Sequence, residues 1–329
     1  MKRISHLVIA SAFAAAAPAF AQQQVVKIDG SSTVFPITEA VAEEFQKAKK
    51  QQIKVTVGIS GTGGGFKKFC RGETDISDAS RPILKSEMAE CAKANIEYYE
   101  LPVAFDALTV VINPKNNFIK QLTIAEMKKM WEPAAQGKVM RWNQVNPQWP
   151  AQPMKLFGPG ADSGTFDYFT EAVVGKSKSS RGDFTASEDD NVLVQGVSRD
   201  VNGLGYFGYA YYVENKDKLK AVPIVNDKGQ AVAPSMESVE KGTYAPLSRP
   251  IFIYVNAKSL GKPEVKEFVE YYMKHGSNLA REVKYVPLPD AAYKTALEHV
   301  QKGKKGTVFG GVAEVGVTIE ELLKREAGL

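Results

Sequence analysis

An α/β fold is predicted by three observations. Short β-branched runs alternate with amphipathic segments, Gly- and Ser/Thr-rich turns join them, and 329 residues suffice for two domains. V-V-K-I-D-G (25–30) reads as a strand that ends in a glycine turn. Pro36 then opens a helix whose Ile37, Val41 and Phe45 share one face. I-K-V-T-V-G-I (53–59) is the next strand, and G-G-G-F-K-K-F (63–69) starts a second helix. L-T-V-V-I-N (108–113) and I-F-I-Y-V-N (251–256) are the strongest remaining strands. The stretch from about 130 to 160 carries Trp131, Trp142 and Trp149 among prolines and reads as loops with short helices. Pro263 begins a helix with Val265, Phe268, Val269, Tyr272 and Met273 at i, i+3, i+4, i+7, i+8, the stripe of a buried face. Lysines and glycines interleave over 301–311, which predicts an exposed turn.

Composition excludes several classes. With 44% hydrophobic and 24% charged residues, the chain is neither disordered nor a disulfide scaffold. A net charge of +5, from 42 basic and 37 acidic residues, is scattered and does not call for nucleic acid. Three histidines and two cysteines leave little for a metal or haem site, so no metal and no cofactor are expected.

The first residues point to export. Lys2 and Arg3, an apolar run from about Leu7 to Ala17 and A-F-A ending at Ala21 have the order of a secretory signal peptide. The run is shorter than the roughly 20 residues that a membrane span needs. Residues 1–21 are therefore read as a leader, and a bacterial periplasm is the simplest destination. In an oxidising compartment an even pair of cysteines bridges, so Cys70 and Cys91 are expected to form a disulfide.

Three similar turns carry the functional signal: D-G-S-S-T-V-F-P (29–36), G-I-S-G-T-G-G-G-F (58–66) and G-P-G-A-D-S-G-T-F (158–166). Each offers Ser and Thr hydroxyls beside small residues at a helix start. Helix N-termini present unpaired N–H groups and the positive end of the dipole, so converging turns of this kind would surround a small oxyanion with neutral donors. D-I-S-D-A-S-R-P (75–82) adds Ser80 and Arg81, the latter a charged donor fork.

G-S-S-T-V-F-P, S-G-T-G-G-G-F, D-I-S-D-A-S-R-P and D-S-G-T-F, in that order behind a leader, resemble the PstS-type phosphate-binding proteins, the periplasmic receptors of the high-affinity phosphate ABC transporter. The resemblance implies a type II periplasmic-binding-protein fold, two α/β lobes with mixed sheets joined by two crossing strands near 104–112 and 248–256. Lobe one would hold 22–106 and 251–329, and lobe two 107–250. It implies a monomer that binds inorganic phosphate without chemistry and docks on permease subunits. The phosphate-binding positions it implies are Ser32, Thr33 and Val34; Ser60, Thr62 and Gly63; and Ser163, Gly164 and Thr165.

Two positions depart from the family pattern. Better-known members carry an arginine where this chain has Pro159, and an aspartate near Ser80 that accepts the proton of monohydrogen phosphate. The charge is therefore expected to move to Arg81, beside Ser80, with Asp78 or Asp162 as the acceptor. Sulfate, molybdate and tungstate are the competing ligands. A serine or phosphate-ester hydrolase is the competing activity, although neither Ser60 nor Ser163 lies in G-x-S-x-G and only His275 and His299 could act as base. No G-x-x-x-x-G-K-[ST] is present, which disfavours nucleotide binding.

Overall fold

The computed structural model describes residues 24–329, so the expected leader lies outside the described residues. The chain begins β1 (Gln24–Gly30), α1 (Phe35–Ala48), β2 (Ile53–Ile59), α2 (Gly61–Phe69), β3 (Ile76–Ala79), α3 (Lys85–Lys93) and the long β4 (Tyr98–Ile112). It continues through β5 (Leu122–Thr123), α4 (Ile124–Trp131), α5 (Trp142–Val145), β6 (Lys155–Pro159), α6 (Gly164–Val174), β7 (Thr185–Ser187), α7 (Asp190–Arg199), β8 (Gly203–Gly208) and α8 (Tyr209–Glu214). Next come β9 (Lys220–Ala221), β10 (Ile224–Val225), β11 (Ala231–Val232), α9 (Met236–Glu240) and β12 (Ser248–Asn256). Three helices close it: α10 (Pro263–Glu282), α11 (Asp290–Lys302) and α12 (Ile319–Ala327).

The main strand order is β2-β1-β3-β12-β4-β8-β6-β7. β1 pairs in parallel with β2 and β3, while β12 runs antiparallel to β3 and β4. β4 is long enough to serve two neighbours. Its first part, Tyr98–Ala107, lies against Asn256–Ser248 of β12, and Leu108–Ile112 lies against Gly208–Leu204 of β8. β6 then pairs in parallel with β8 and β7. The strand expected at 108–113 is thus the far half of a longer element that crosses from one group of strands to the other. Every residue of β4 and β12 is buried, which explains their continuous apolar texture.

Helices cover the strands. The predicted stripe of α10 is buried and packs on α1, where Phe268 meets Phe45 edge-on at 5.3 Å. Trp131 and Trp142, from the Trp-rich stretch, are fully buried on the short helices α4 and α5. The segment 301–311 is exposed over only part of its length. Gly306 donates to Tyr98 O and Lys85 N to Gly311 O, while Phe309 is buried edge-on against Phe252. Gln301, Lys302, Gly303, Lys305 and Gly310 are exposed as expected, while Phe309 and Gly311 are buried where the segment packs on β4, β12 and α3. Cys70 and Cys91 are disulfide-bonded, as expected, tying the end of α2 to α3.

Candidate functional site

The turns at the carboxyl ends of the parallel strands come together, at the position where α/β sheets bind ligands. The first turn leaves β1, the second leaves β2, Ser80 follows β3 and the third turn follows β6. The first turn requires glycine at its start. Gly30 has φ +148°, and a Cβ there would stand 2.2 Å from Asp78 O.

The hydroxyls from these turns meet. Thr33 Oγ1 and Thr165 Oγ1 are 3.0 Å apart, and Thr62 Oγ1 and Ser80 Oγ are 3.1 Å apart. Gly164 lies between them so closely that a Cβ would stand 2.4 Å from Thr62 Oγ1 and 2.6 Å from Ser80 Oγ. Gly63 N donates to Asp162 O at 2.7 Å, joining the second turn to the third. Ser163 is the N-cap of α6, its Oγ accepting from Thr165 N and Phe166 N at 3.1 and 3.4 Å.

One arginine that the sequence reading did not single out sits on this cluster. Arg249 Nη2 donates to Thr165 Oγ1 at 2.7 Å and lies 3.4 Å from Thr33 Oγ1 and 3.2 Å from Asp106 Oδ2. Its Nη1 donates to Gly164 O at 3.1 Å, and the guanidinium lies over the Tyr168 ring at 5.4 Å. Arg249 is 1% exposed and Asp106 is also 1% exposed, so both charges are out of water. Arg249 starts β12, and Asp106 faces it from β4. A readable signal existed in S-R-P-I-F-I-Y-V-N and L-P-V-A-F-D-A-L-T-V-V-I: each long apolar strand carries a charge of opposite sign. A charge inside a buried strand needs a partner or a ligand.

Several expected positions are placed differently. Arg81 is fully buried, and its donors serve Asp167 Oδ2 (2.6 Å), Pro82 O (3.1 Å) and both oxygens of Glu87 (2.8 Å each). Burial works against its charge, but Glu87 and Asp167 outweigh this and raise its pKa further. The donors of Arg81, the expected cation, are thus taken up by Asp167, Pro82 and Glu87, and the guanidinium bonded to Thr33 and Thr165 is that of Arg249. Ser60 turns its hydroxyl to Asp29 Oδ1 and so leaves the cluster to Thr62. Val34 N and Phe35 N both bond to Ser31 O, and the Val34 side chain is core. Ser32 Oγ donates to Asp190 Oδ1 at 3.3 Å.

Neither expected acceptor carboxylate is bonded to the Thr33, Thr62, Ser80 or Thr165 hydroxyl. Asp78 is fully buried behind the first turn, where Thr38 Oγ1 donates to it at 3.0 Å, and burial holds its carboxyl well above the usual range. Asp162 is half-buried, with its carboxylate paired with Lys67 at 2.7 Å. The buried acids beside the cluster are Asp106 and Asp190, which come from elements that the turn motifs do not include. Burial raises the pKa of Asp106, while Arg249 draws it back down. Burial pushes Asp190 up to about 7, opposed first by the Ser32 hydrogen bond.

Comparison with known proteins matches this architecture. The PBP superfamily domain model covers residues 14–275. Protein SphX of Synechococcus elongatus is 56% identical over 308 residues, 94% of this chain and 90% of that one. The phosphate-binding protein PstS of Staphylococcus saprophyticus is 41% identical over 271 residues, 82% of each chain. The crystal structure of a possible phosphate binding protein from Planctomyces limnophilus superposes with a TM-score of 0.62 at 49% identity, covering 85% of this chain and 98% of that one. With its crossing strands and converging turns, the chain belongs to the PBP superfamily and, within it, to the family of the PstS phosphate-binding proteins.

Proposed function

We propose that the protein captures inorganic phosphate between two lobes and delivers it to the permease of an ABC transporter. The observation that carries this reading is the meeting of Thr33, Thr62, Ser80 and Thr165 hydroxyls around Gly164, with the buried Arg249 bonded to Thr165 and Thr33. Four neutral hydroxyls and one guanidinium suit a small tetrahedral oxyanion, because they supply directed donors with one compensating charge. The first lobe comprises 22–106 and 251–329 and the second 107–250. Ligand contacts from both lobes favour the closed form and so shift the hinge equilibrium.

The binding set we assign is Thr33, Thr62, Gly63, Ser80, Ser163, Gly164, Thr165 and Arg249. Asp106, which shares Arg249 with Thr33 and Thr165, takes the acceptor role in place of Asp78 and Asp162. Capture proceeds without turnover. His299 packs against Glu326, and His275 lies against Tyr271 on α10, so neither partners the hydroxyls. The leader over 1–21 directs a monomer to the periplasm. Titration calorimetry of the phosphate-stripped mature chain with phosphate, sulfate and molybdate tests the reading. Heat from phosphate and none from sulfate is expected; preference for either other anion, or no heat from any, would overturn it.

A further inference from the structure

We infer that Arg81 and Asp167 form a charged clasp made only when the lobes close, and that Asp167, acting through Arg81, is a positioning residue for capture. The inference rests on the two-lobe reading above but concerns residues outside the anion cluster. Arg81 follows β3 on one side of the crevice, and Asp167 lies in the first turn of α6 on the other. Arg81 Nε donates to Asp167 Oδ2 at 2.6 Å, and both side chains are 0% exposed.

The remaining donors of Arg81 explain why this contact is a clasp. Glu87, on the same side as Arg81, accepts from Nη1 and Nη2 at 2.8 Å each, and Pro82 O accepts from Nη1 at 3.1 Å. Glu87 is itself fixed at the start of α3, where it accepts from Leu84 N at 2.9 Å. These partners come from residues 82–87, so they hold the guanidinium whether the crevice is open or shut. Only Nε is directed across it.

Among the described residues, Asp167 has no comparable partner on its own side. Lys178 Nζ stands 3.9 Å away on a half-exposed side chain. Separating the two sides returns Asp167 to water near Lys178, and closing offers it a cation already held in place. Preorganisation lowers the ordering cost of the new contact.

Sequence position ties the clasp to the anion cluster. Arg81 is adjacent to Ser80, and Asp167 is two residues past Thr165. Making the ion pair therefore sets Ser80 and Thr62 against Gly164 and Thr165 without touching the ligand. The apparent dissociation constant varies inversely with the fraction of binding-competent molecules, so a clasp that populates the closed form tightens binding.

Asp167→Asn is the informative variant because Arg81 keeps its charge partner Glu87. Small-angle scattering and inter-lobe fluorescence transfer would be recorded on the full mature chain, with and without saturating phosphate. Calorimetry and thermal unfolding would accompany them, and Lys67→Ala would serve as a rim-pair control. The variant is expected to be more open than wild type without phosphate and to close when saturated. Its Kd should rise about 10-fold, as a tenfold smaller closed fraction requires. Unchanged ligand-free compactness with unchanged Kd would overturn the clasp. So would tighter phosphate binding, which would show that Asp167 withholds Arg81 from the anion. If Asp167→Asn does not fold, Arg81→Lys tests the same point, since it keeps the charge and loses Nε; unchanged compactness would refute the clasp. The ligand-free comparison stands even if wild type gives no heat with phosphate, so the two readings fail separately.

Discussion

Arg249 and Asp106 stand opposite each other in the register of β12 and β4, and Arg249 Nη2 lies 3.2 Å from Asp106 Oδ2. The pair therefore sits on the strands that join the two groups of elements. From this position Arg249 reaches Thr33 on one side and Thr165 on the other. A cation carried by either side alone would have to travel to meet the opposite turn. Placed on the crossing strands, it can remain in register with both.

Replacing Arg249 should separate charge from geometry. Arg249→Lys keeps a cation for Asp106 but loses the planar fork, and phosphate Kd should rise about 10- to 100-fold, the worth of one or two charge-assisted hydrogen bonds. Arg249→Ala additionally leaves Asp106 buried without its partner, which costs about 3–5 kcal/mol and should appear as a lowered Tm. Calorimetry beside thermal unfolding reads both effects. Near-wild-type affinity in Arg249→Lys would remove Arg249 from the binding set.

Gly164→Ala should block closure while sparing the fold. The added Cβ would stand 2.4 Å from Thr62 Oγ1 and 2.6 Å from Ser80 Oγ, groups that approach from the opposite side of the crevice. Opening relieves both contacts, so Tm without ligand should stay near wild type while phosphate affinity falls about 100-fold or more, as it would if the competent state became rare. Equal affinity in the variant would mean that the third turn does not close on the second.

Much of this arrangement was legible in the sequence because it is local. Glycine-hydroxyl turns at strand ends announce themselves within eight or nine residues, and their shared chemistry predicted that they converge. The β-branched runs and the α10 stripe were equally plain, since periodicity is written in consecutive residues. What escaped depends on separation along the chain. Arg249 meets Thr33 across 216 positions and Asp106 across 143, and no local pattern links them. Pro159 stands where the family carries an arginine, and Arg81 is the charged donor fork that the sequence motifs offer in its place. Its real partners, Glu87 and Asp167, lie 6 and 86 positions away, and only packing shows that they occupy its donors. Asp78 and Asp162 stand apart from the hydroxyls for opposite reasons, one behind the turn in the core and the other partly in solvent beside Lys67.

Reduction of the disulfide should destabilise the chain without weakening capture. Cys70 and Cys91 are 21 residues apart, and closing a loop of that size stabilises by about 3 kcal/mol in the chain-entropy model. The bridge ties the end of α2 to α3, whereas Thr62, one of the proposed donors, lies at the start of α2. Cys70→Ser with Cys91→Ser should therefore lower Tm and leave phosphate Kd within about twofold, the scatter expected of changes worth a few tenths of a kcal/mol. A large loss of affinity in the folded variant would show that the second turn depends on the bridge.

Stability should decline as pH rises above neutrality, and Glu326 is one identifiable cause. This residue of α12 is buried, and neither carboxyl oxygen has a hydrogen-bond partner among the described residues; His299 Nδ1 stands 3.4 Å away. Burial pushes its carboxyl up to about 8, and the charge of Glu100 adds to the shift. Burial lowers the pKa of His299, so a neutral imidazole faces a protonated acid. Unfolded, Glu326 would ionise near its ordinary 4.5. The folded chain therefore keeps a proton that the unfolded chain releases, and stability falls with rising pH until about 8, then levels off. Burial places Glu100 and Asp190 at about 7, and both act in the same direction. His299 acts oppositely below its ordinary 6.5, so the comparison belongs between about pH 6.5 and 8.5. Tm should drop across that interval in wild type and drop less in Glu326→Gln, which should be the more stable of the two at the upper end. An equal drop in both proteins would show that Glu326 ionises normally in the folded state.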